Sequence, residues 1–207
     1  MGTPIPTVFK KFLGQIDDKE WLLVEEDIIE DLMLEYLENA TVDFTQCRKD
    51  LSFIPPEIGE KKLKSDGLTS EFEVSSNDKK LTIISVIGDT TGQKYVDPHD
   101  YTYKDGTIKF TIPPTENITI NWKFEGEFLE DLEVIEIRIL AHAMMLHYLK
   151  PKIMTQDSLK QYVSDKDFSK LSGANMLLRL IGLEKSQQKQ LDVLQGRYAF
   201  KGFKGWN

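Results

Sequence analysis

The chain has 207 residues, of which 40% are hydrophobic and 29% charged, and its 26 Lys and Arg against 34 Asp and Glu leave a net charge of −8. This size suits one domain with a substantial core, or one domain carrying an inserted module, and the composition excludes global disorder. The acidic balance excludes a protein that coats nucleic acid through a broad basic surface, but not one that surrounds DNA without gripping it.

In chain order, Val8, Phe9, Phe12, Leu13 and Ile16 recur at helical spacing over 6–16, with Pro6 suited to a first turn. A second helix is predicted to start after Glu25-Glu26-Asp27, acids that favour the positive end of the helix dipole. Its stripe is Ile28, Ile29, Leu32, Met33, Tyr36, Leu37, Ala40 and Phe44. Residues 48–69, with Pro55-Pro56 and "EKKLKSD", read as loop or linker. From 70 to 126 the pattern changes to short β-branched and aromatic runs: "EFEV", "KLTIISVI", "QKYV", "DYTY", "TIKFTI" and "ITINWKF". Asp105-Gly106 predicts a tight hairpin, so this stretch is a small antiparallel β module. Helical spacing then returns. Residues 129–149 are apolar around most of the circumference, which marks a central core helix, and Pro151 is expected to end it. Asp157 is a candidate cap for a short helix at 158–164, and 171–197 reads as one long helix with Gly196 near its end.

Chemistry-bearing motifs are sparse. His142 and His147 are five apart on the central helix, which is not the spacing of a metal-binding helix pair, and His99 lies in a turn. "GDTTGQKY" lacks the lysine and hydroxyl placement of a phosphate loop and reads as a hairpin turn. Glu25, Glu26, Asp27, Glu30 and Asp31 lack calcium-loop spacing and read as a solvated helix start. Cys47 is the single cysteine, has no evident base, and reads as a small half-buried apolar group in a reducing compartment. The expectation is therefore no catalytic, cofactor-binding or metal-binding residue, no enzyme activity, no signal peptide and no membrane span. The fold class is α+β: a helical bundle with an inserted antiparallel β module and an extended C-terminal tail. The expected divisions are 1–69 (N-terminal helices plus linker), 70–126 (β module), 127–197 (C-terminal helices completing the bundle) and 198–207 (tail).

Three stretches carry a resemblance: "TPIPTVFKKFLGQIDD" leading to "EDLMLEYLENATVDFTQCRKDLS", then "EDLEVIEIRILAHAMMLHYLKPKI", then "DSLKQYVSDKDFSKLSGANMLLRLIGL". In this order they resemble the head-to-tail adaptor (connector or neck) proteins of long-tailed bacteriophages. The matching positions near the third stretch are Asp167, Phe168, Ser172, Ala174, Asn175 and Leu177; a tyrosine common in that cluster is Leu171 here, and a histidine is Met176. The resemblance covers 3–52 and 128–198. Separately, "VDPHDYTYKDGTIKFTIPPTENITINWKF" is similar to a β-hairpin unit that recurs in phage virion proteins. The resemblance implies a structural virion protein made in the host bacterial cytoplasm and located in the neck between capsid and tail. There it forms a ring of copies, commonly a dodecamer, under the portal protein, and the next neck or tail-completion protein docks below. DNA passes through the lumen without specific binding, and no cofactor, membrane or reaction is involved. The alternatives are another neck component (head-completion stopper or tail terminator), a terminase small subunit, which the acidic helices disfavour, or a β-module protein binding carbohydrate or a partner. For the last, Tyr95, Tyr101, Tyr103, Phe110 and Trp122 would form the surface, although alternating strand positions make them cross-strand core pairs first.

The final stretch, "YAFKGFKGWN", is aromatic and basic in an acidic chain. The residues expected to contact the portal or tail are Arg197, Tyr198, Phe200, Lys201, Phe203, Lys204 and Trp206. One reading folds them back on the protein's own bundle. The favoured one has the segment ordering by insertion into a neighbour, the portal first, with aromatic anchors supplying area and basic residues suiting an acidic groove.

Overall fold

The computed structural model describes residues 2–16, 21, 24–74, 81–162 and 173–201. It is α+β, and it divides into two compact units: residues 1–53 with 128–207, and residues 54–127. The first is helical, with α1 (Ile5–Leu13), α2 (Glu26–Asp43), α3 (Val134–Tyr162) and α4 (Gly173–Phe200). The apolar stripes of the sequence become its core. Ile5, Val8, Phe9 and Phe12 of α1, and Met33, Leu37 and Ala40 of α2 with Phe44 just beyond it, are buried against α3. Along α3 Ile139, Leu140, Ala143 and Met144 are completely buried, as expected of a helix apolar on most sides.

Two expected helix ends are corrected. The central helix does not stop at Pro151 but runs through it to Tyr162. Pro151 forgoes one backbone bond of the helix ladder, and the turn beyond it is backed by Thr155 Oγ1 donating to the Pro151 carbonyl at 2.9 Å. The expected short helix at 158–164 is therefore, as far as Tyr162, the continuation of α3; residues 163–172 lie outside the described residues. Gly196 does not end the last helix either, because α4 continues to Phe200. Glycine weakens a helix by only about 1 kcal/mol, and the buried contacts of Tyr198, two residues on, outweigh that.

The second unit contains β2 (Glu57–Leu63), β3 (Glu71–Glu73), β4 (Leu81–Gly88), β5 (Lys94–Tyr95), β6 (Tyr101–Lys104), β7 (Thr107–Phe110) and β8 (Ile118–Phe124). They form a four-stranded sheet, β2-β8-β4-β5, and a three-stranded sheet, β3-β7-β6, with antiparallel pairing throughout both. The chain leaves and re-enters the helical unit through a two-stranded ladder of β1 (Phe53–Ile54) with β9 (Glu127–Phe128). Asp105 and Gly106 both take positive φ, 49° and 79°, between the paired Lys104 and Thr107, which gives the two-residue hairpin that this dipeptide favours.

The linker expected over 48–69 is corrected in its second half, since the β unit starts at Ile54 and Glu57–Leu63 pairs along its whole length with β8. Its sequence, "EIGEKKL", hides the strand because it lies at a sheet edge, where charges protect against pairing with other chains. Gly59 faces Trp122 across the ladder, and a Cβ there would come within 2.1 Å of the indole, so the indole occupies the space of the missing side chain.

The two cores share no residue: Leu63, Val74, Leu81, Val86, Tyr101, Ile108, Phe110, Ile118, Ile120 and Phe124 make up the second. Excising residues 54–127 and joining Phe53 to Phe128 through a short glycine-serine linker should therefore leave a soluble helical protein. Far-UV circular dichroism with urea unfolding tests this, and loss of the cooperative helical transition would refute it. Cutting at the expected boundary, 70–126, should do worse, because it strands β2 without β8.

Candidate partner-binding site

The segment expected to reach a partner begins inside the protein's own core. Tyr198 is 4% exposed, and its ring meets Phe44 edge-on at 5.2 Å between centroids. Its hydroxyl donates to Glu136 Oε1 at 2.8 Å and accepts the Arg48 backbone N–H at 3.0 Å. The Cys47 sulfur, half-buried as read from the sequence, lies 3.8 Å from the same hydroxyl. Burial pushes the Tyr198 phenol up to about 12; the Arg48 N–H opposes this, and the hydrogen bond the phenol donates to the Glu136 carboxylate adds to it.

Glu136 is 1% exposed, and sequence reasoning missed it. As the third residue of α3 it reaches back to the Glu133 N–H at 2.5 Å, half of a capping box. Its other partner is Lys49, with Nζ 3.1 Å away. The ammonium also donates to the Asp131 carbonyl, at 2.5 Å. A buried carboxylate is tolerable only when paired and hydrogen-bonded, and this one has a cation, a phenol and a backbone N–H. The available sequence signal was a glutamate three residues past a helix start.

The end of α4 is thus tied down. Arg48 Nη2 donates to the Ala199 carbonyl at 3.1 Å, and Lys201 pairs with Glu133, holding that carboxyl below its usual range. Of the seven residues expected to contact a partner, Tyr198 is corrected to a core residue, because its phenol and ring are spent on Glu136, Arg48 and Phe44. Phe200 is 73% exposed, and Arg197 lines a groove described next. Phe203, Lys204 and Trp206 lie outside the described residues.

That groove, about 590 Å³, lies between α1, α3 and α4. Lys11, Arg138, His142, Lys189 and Arg197 line it with Gln15, Ser186, Gln190 and an apolar strip, and among the described residues no acidic side chain does. None of its lysines and arginines has an ion-pair partner among the described residues. His142 Nδ1 is 2.6 Å from Gln187 Oε1, and Gln15 Oε1 is buried without a hydrogen-bond partner among the described residues. Only tertiary packing makes the groove visible, because its cations come from three separate helices.

The remaining candidate motifs are placed as well. The backbone N–H groups of Thr90 and Thr91 donate to Glu116 Oε2 at 2.7 and 2.9 Å, so the chain's own carboxylate occupies the position a phosphate would take in "GDTTGQKY". Tyr101 and Phe110 are buried in the β core and Tyr95 packs on Phe110 at 5.5 Å, which spends much of the aromatic surface considered for carbohydrate. His147 Nε2 meets Asp43 Oδ2 at 2.8 Å. Among the described residues there is no cluster of three metal-ligating side chains, and no helix is long and apolar enough to cross a membrane. No protein-family model matches the chain, and no curated protein matches it.

Proposed function

We propose that this protein is a structural head-to-tail adaptor of a long-tailed phage virion, assembling as a ring beneath the portal with DNA passing through the lumen. The supporting observation is one of organisation. The stretches that resemble the adaptor family, 3–52 and 128–198, come together as one helical unit around α3, while residues 54–127 form an inserted unit with its own core. The net charge of −8 suits a conduit, since each phosphate contact would slow DNA passage. In this reading the work of the chain is assembly, and no reaction is catalysed.

The portal contact is assigned to the residues past the Tyr198 anchor: Phe200, Phe203, Lys204 and Trp206. Tyr198 and Lys201 hold the base of this segment to the helical unit through Glu136 and Glu133. Ordering the segment on a neighbour costs conformational entropy, so docking should depend on several copies engaging together. A chain ending at Lys201 keeps every contact described above. It is expected to fold, by circular dichroism, and to fail to join portal-bearing, DNA-filled heads in electron micrographs. Normal docking of the truncated chain would remove the tail assignment. Failure of the intact chain to bind such heads at all would remove the adaptor reading.

A further inference from the structure

We infer that the basic groove between α1, α3 and α4 receives the acidic outer stripe of α2 from a second copy of this chain. The groove gathers four lysine and arginine side chains that, among the described residues, have no ion-pair partner and share the concavity with no acid, in a protein of net charge −8. Unpaired cations crowded together repel one another, and an anionic partner relieves that.

The protein carries a matching surface. Asp27, Asp31, Glu35 and Glu38 follow one another at spacings of four, four and three, which aligns them along one face of α2. All four are exposed, none has an ion-pair partner among the described residues, and α2 contains no lysine or arginine. The stripe runs over twelve residues, eleven rises and about 16 Å of helix. Along α4 the groove runs from Ser186 to Arg197, again twelve residues and about 16 Å. Ala141, small and buried, lines the groove and leaves room for a helix to approach.

One copy cannot satisfy both surfaces itself. Arg138 and His142 face the groove from one side of α3. His147, which holds Asp43 at the end of α2, is nine residues past Arg138, about two and a half turns on, and so points the opposite way. Groove and stripe therefore lie on opposite sides of α3, and the contact is head-to-tail. Such a heterologous contact uses two different faces and closes into a ring when its rotation permits. Ring closure is where the inference rests on the adaptor reading; the pairing of groove with stripe stands on charge, length and placement.

The test is charge reversal in the full chain, followed by sedimentation velocity, with circular dichroism confirming the fold. The wild-type chain is expected to self-associate with concentration, and less so as salt rises. Reversing the groove (Arg138→Glu with Lys189→Glu) or the stripe (Asp31→Lys with Glu35→Lys) should each weaken association by roughly a hundredfold, because like charges then face each other. An equimolar mixture of the two variants should associate again, since each then offers the other two complementary surfaces. A monomeric wild-type chain, a variant that associates normally, or a mixture that stays monomeric would each overturn the contact. So would a groove variant that loses binding of inorganic phosphate or duplex DNA while still associating normally. If the wild type stays monomeric yet docks on portal-bearing heads, only this contact falls. If the charge swap succeeds and docking fails, the adaptor reading falls and the contact stands.

Discussion

Replacing Tyr198 by alanine is expected to lower the unfolding free energy of the helical unit by about 4 kcal/mol, the scale of truncating a fully packed aromatic. The ring is lost from its edge contact with Phe44, and the loss reaches three elements at once, because the phenol joins α4 to Glu136 of α3 and to the 47–48 segment after α2. Glu136 would keep Lys49 and the Glu133 N–H but lose its phenol donor in a site where water barely reaches. Tyr198→Phe isolates the hydroxyl and should cost about 1–2 kcal/mol, since the Arg48 N–H is left without its acceptor.

The same pair of proteins makes a prediction in pH. The Tyr198 phenol is held up at about 12 in the folded protein, against 10.0 for an ordinary tyrosine. A raised value means that the folded state keeps its proton after the unfolded chain has released it. The contribution of this group is thus fully present below pH 10 and is lost as pH rises from about 10 to 12, amounting to roughly 2–3 kcal/mol across the window. Urea unfolding at a series of alkaline pH values should show wild type losing stability faster than Tyr198→Phe. Parallel decline of the two would mean that this phenol is not protected in the folded state.

Phe12→Ala is expected to be of similar size, about 4 kcal/mol. Phe12 is completely buried and meets Trp21, Tyr36 and Tyr148 edge-on at 5.9, 6.1 and 6.1 Å. Tyr148 in turn contacts Trp21 and Tyr36 at 5.5 and 6.4 Å, so one ring holds α1 against both α2 and α3. Each such pair adds about 0.5–1.5 kcal/mol beyond burial, and a cavity at the centre loses several together. Phe12→Leu should cost less than half as much, because most of the volume stays filled. Both values come from chemical denaturation followed by the helical circular-dichroism signal. Because the β core draws on none of these residues, the signal of its own unfolding should not move. A loss below about 1 kcal/mol for Phe12→Ala would show that the aromatic cluster does not hold the three helices together.

The stripes of α1, α2 and α3 were legible in the sequence because helical spacing and apolarity are local properties, and burial followed them at Phe12, Leu37 and Ile139. Asp105-Gly106 announced its hairpin for a similar reason, since positive φ at two consecutive residues is a local demand that few dipeptides meet. The β strands from Glu71 to Phe124 alternated clearly because their inner faces share one core. By contrast, Glu57–Leu63 is a strand only because β8 offers its backbone, and an edge position tolerates charges and a glycine that mask the pattern. α3 passes Pro151 and α4 passes Gly196 because packing elsewhere outweighs a local preference of one or a few kcal/mol. Tyr198 looked like a partner's anchor until the fold brought Glu136, sixty-two positions earlier, within 2.8 Å of its hydroxyl. The basic groove belongs to the same class. Lys11, Arg138, Lys189 and Arg197 are scattered along an acidic chain, and only the packing of three helices sets their charges close enough for each to raise the potential felt by the others.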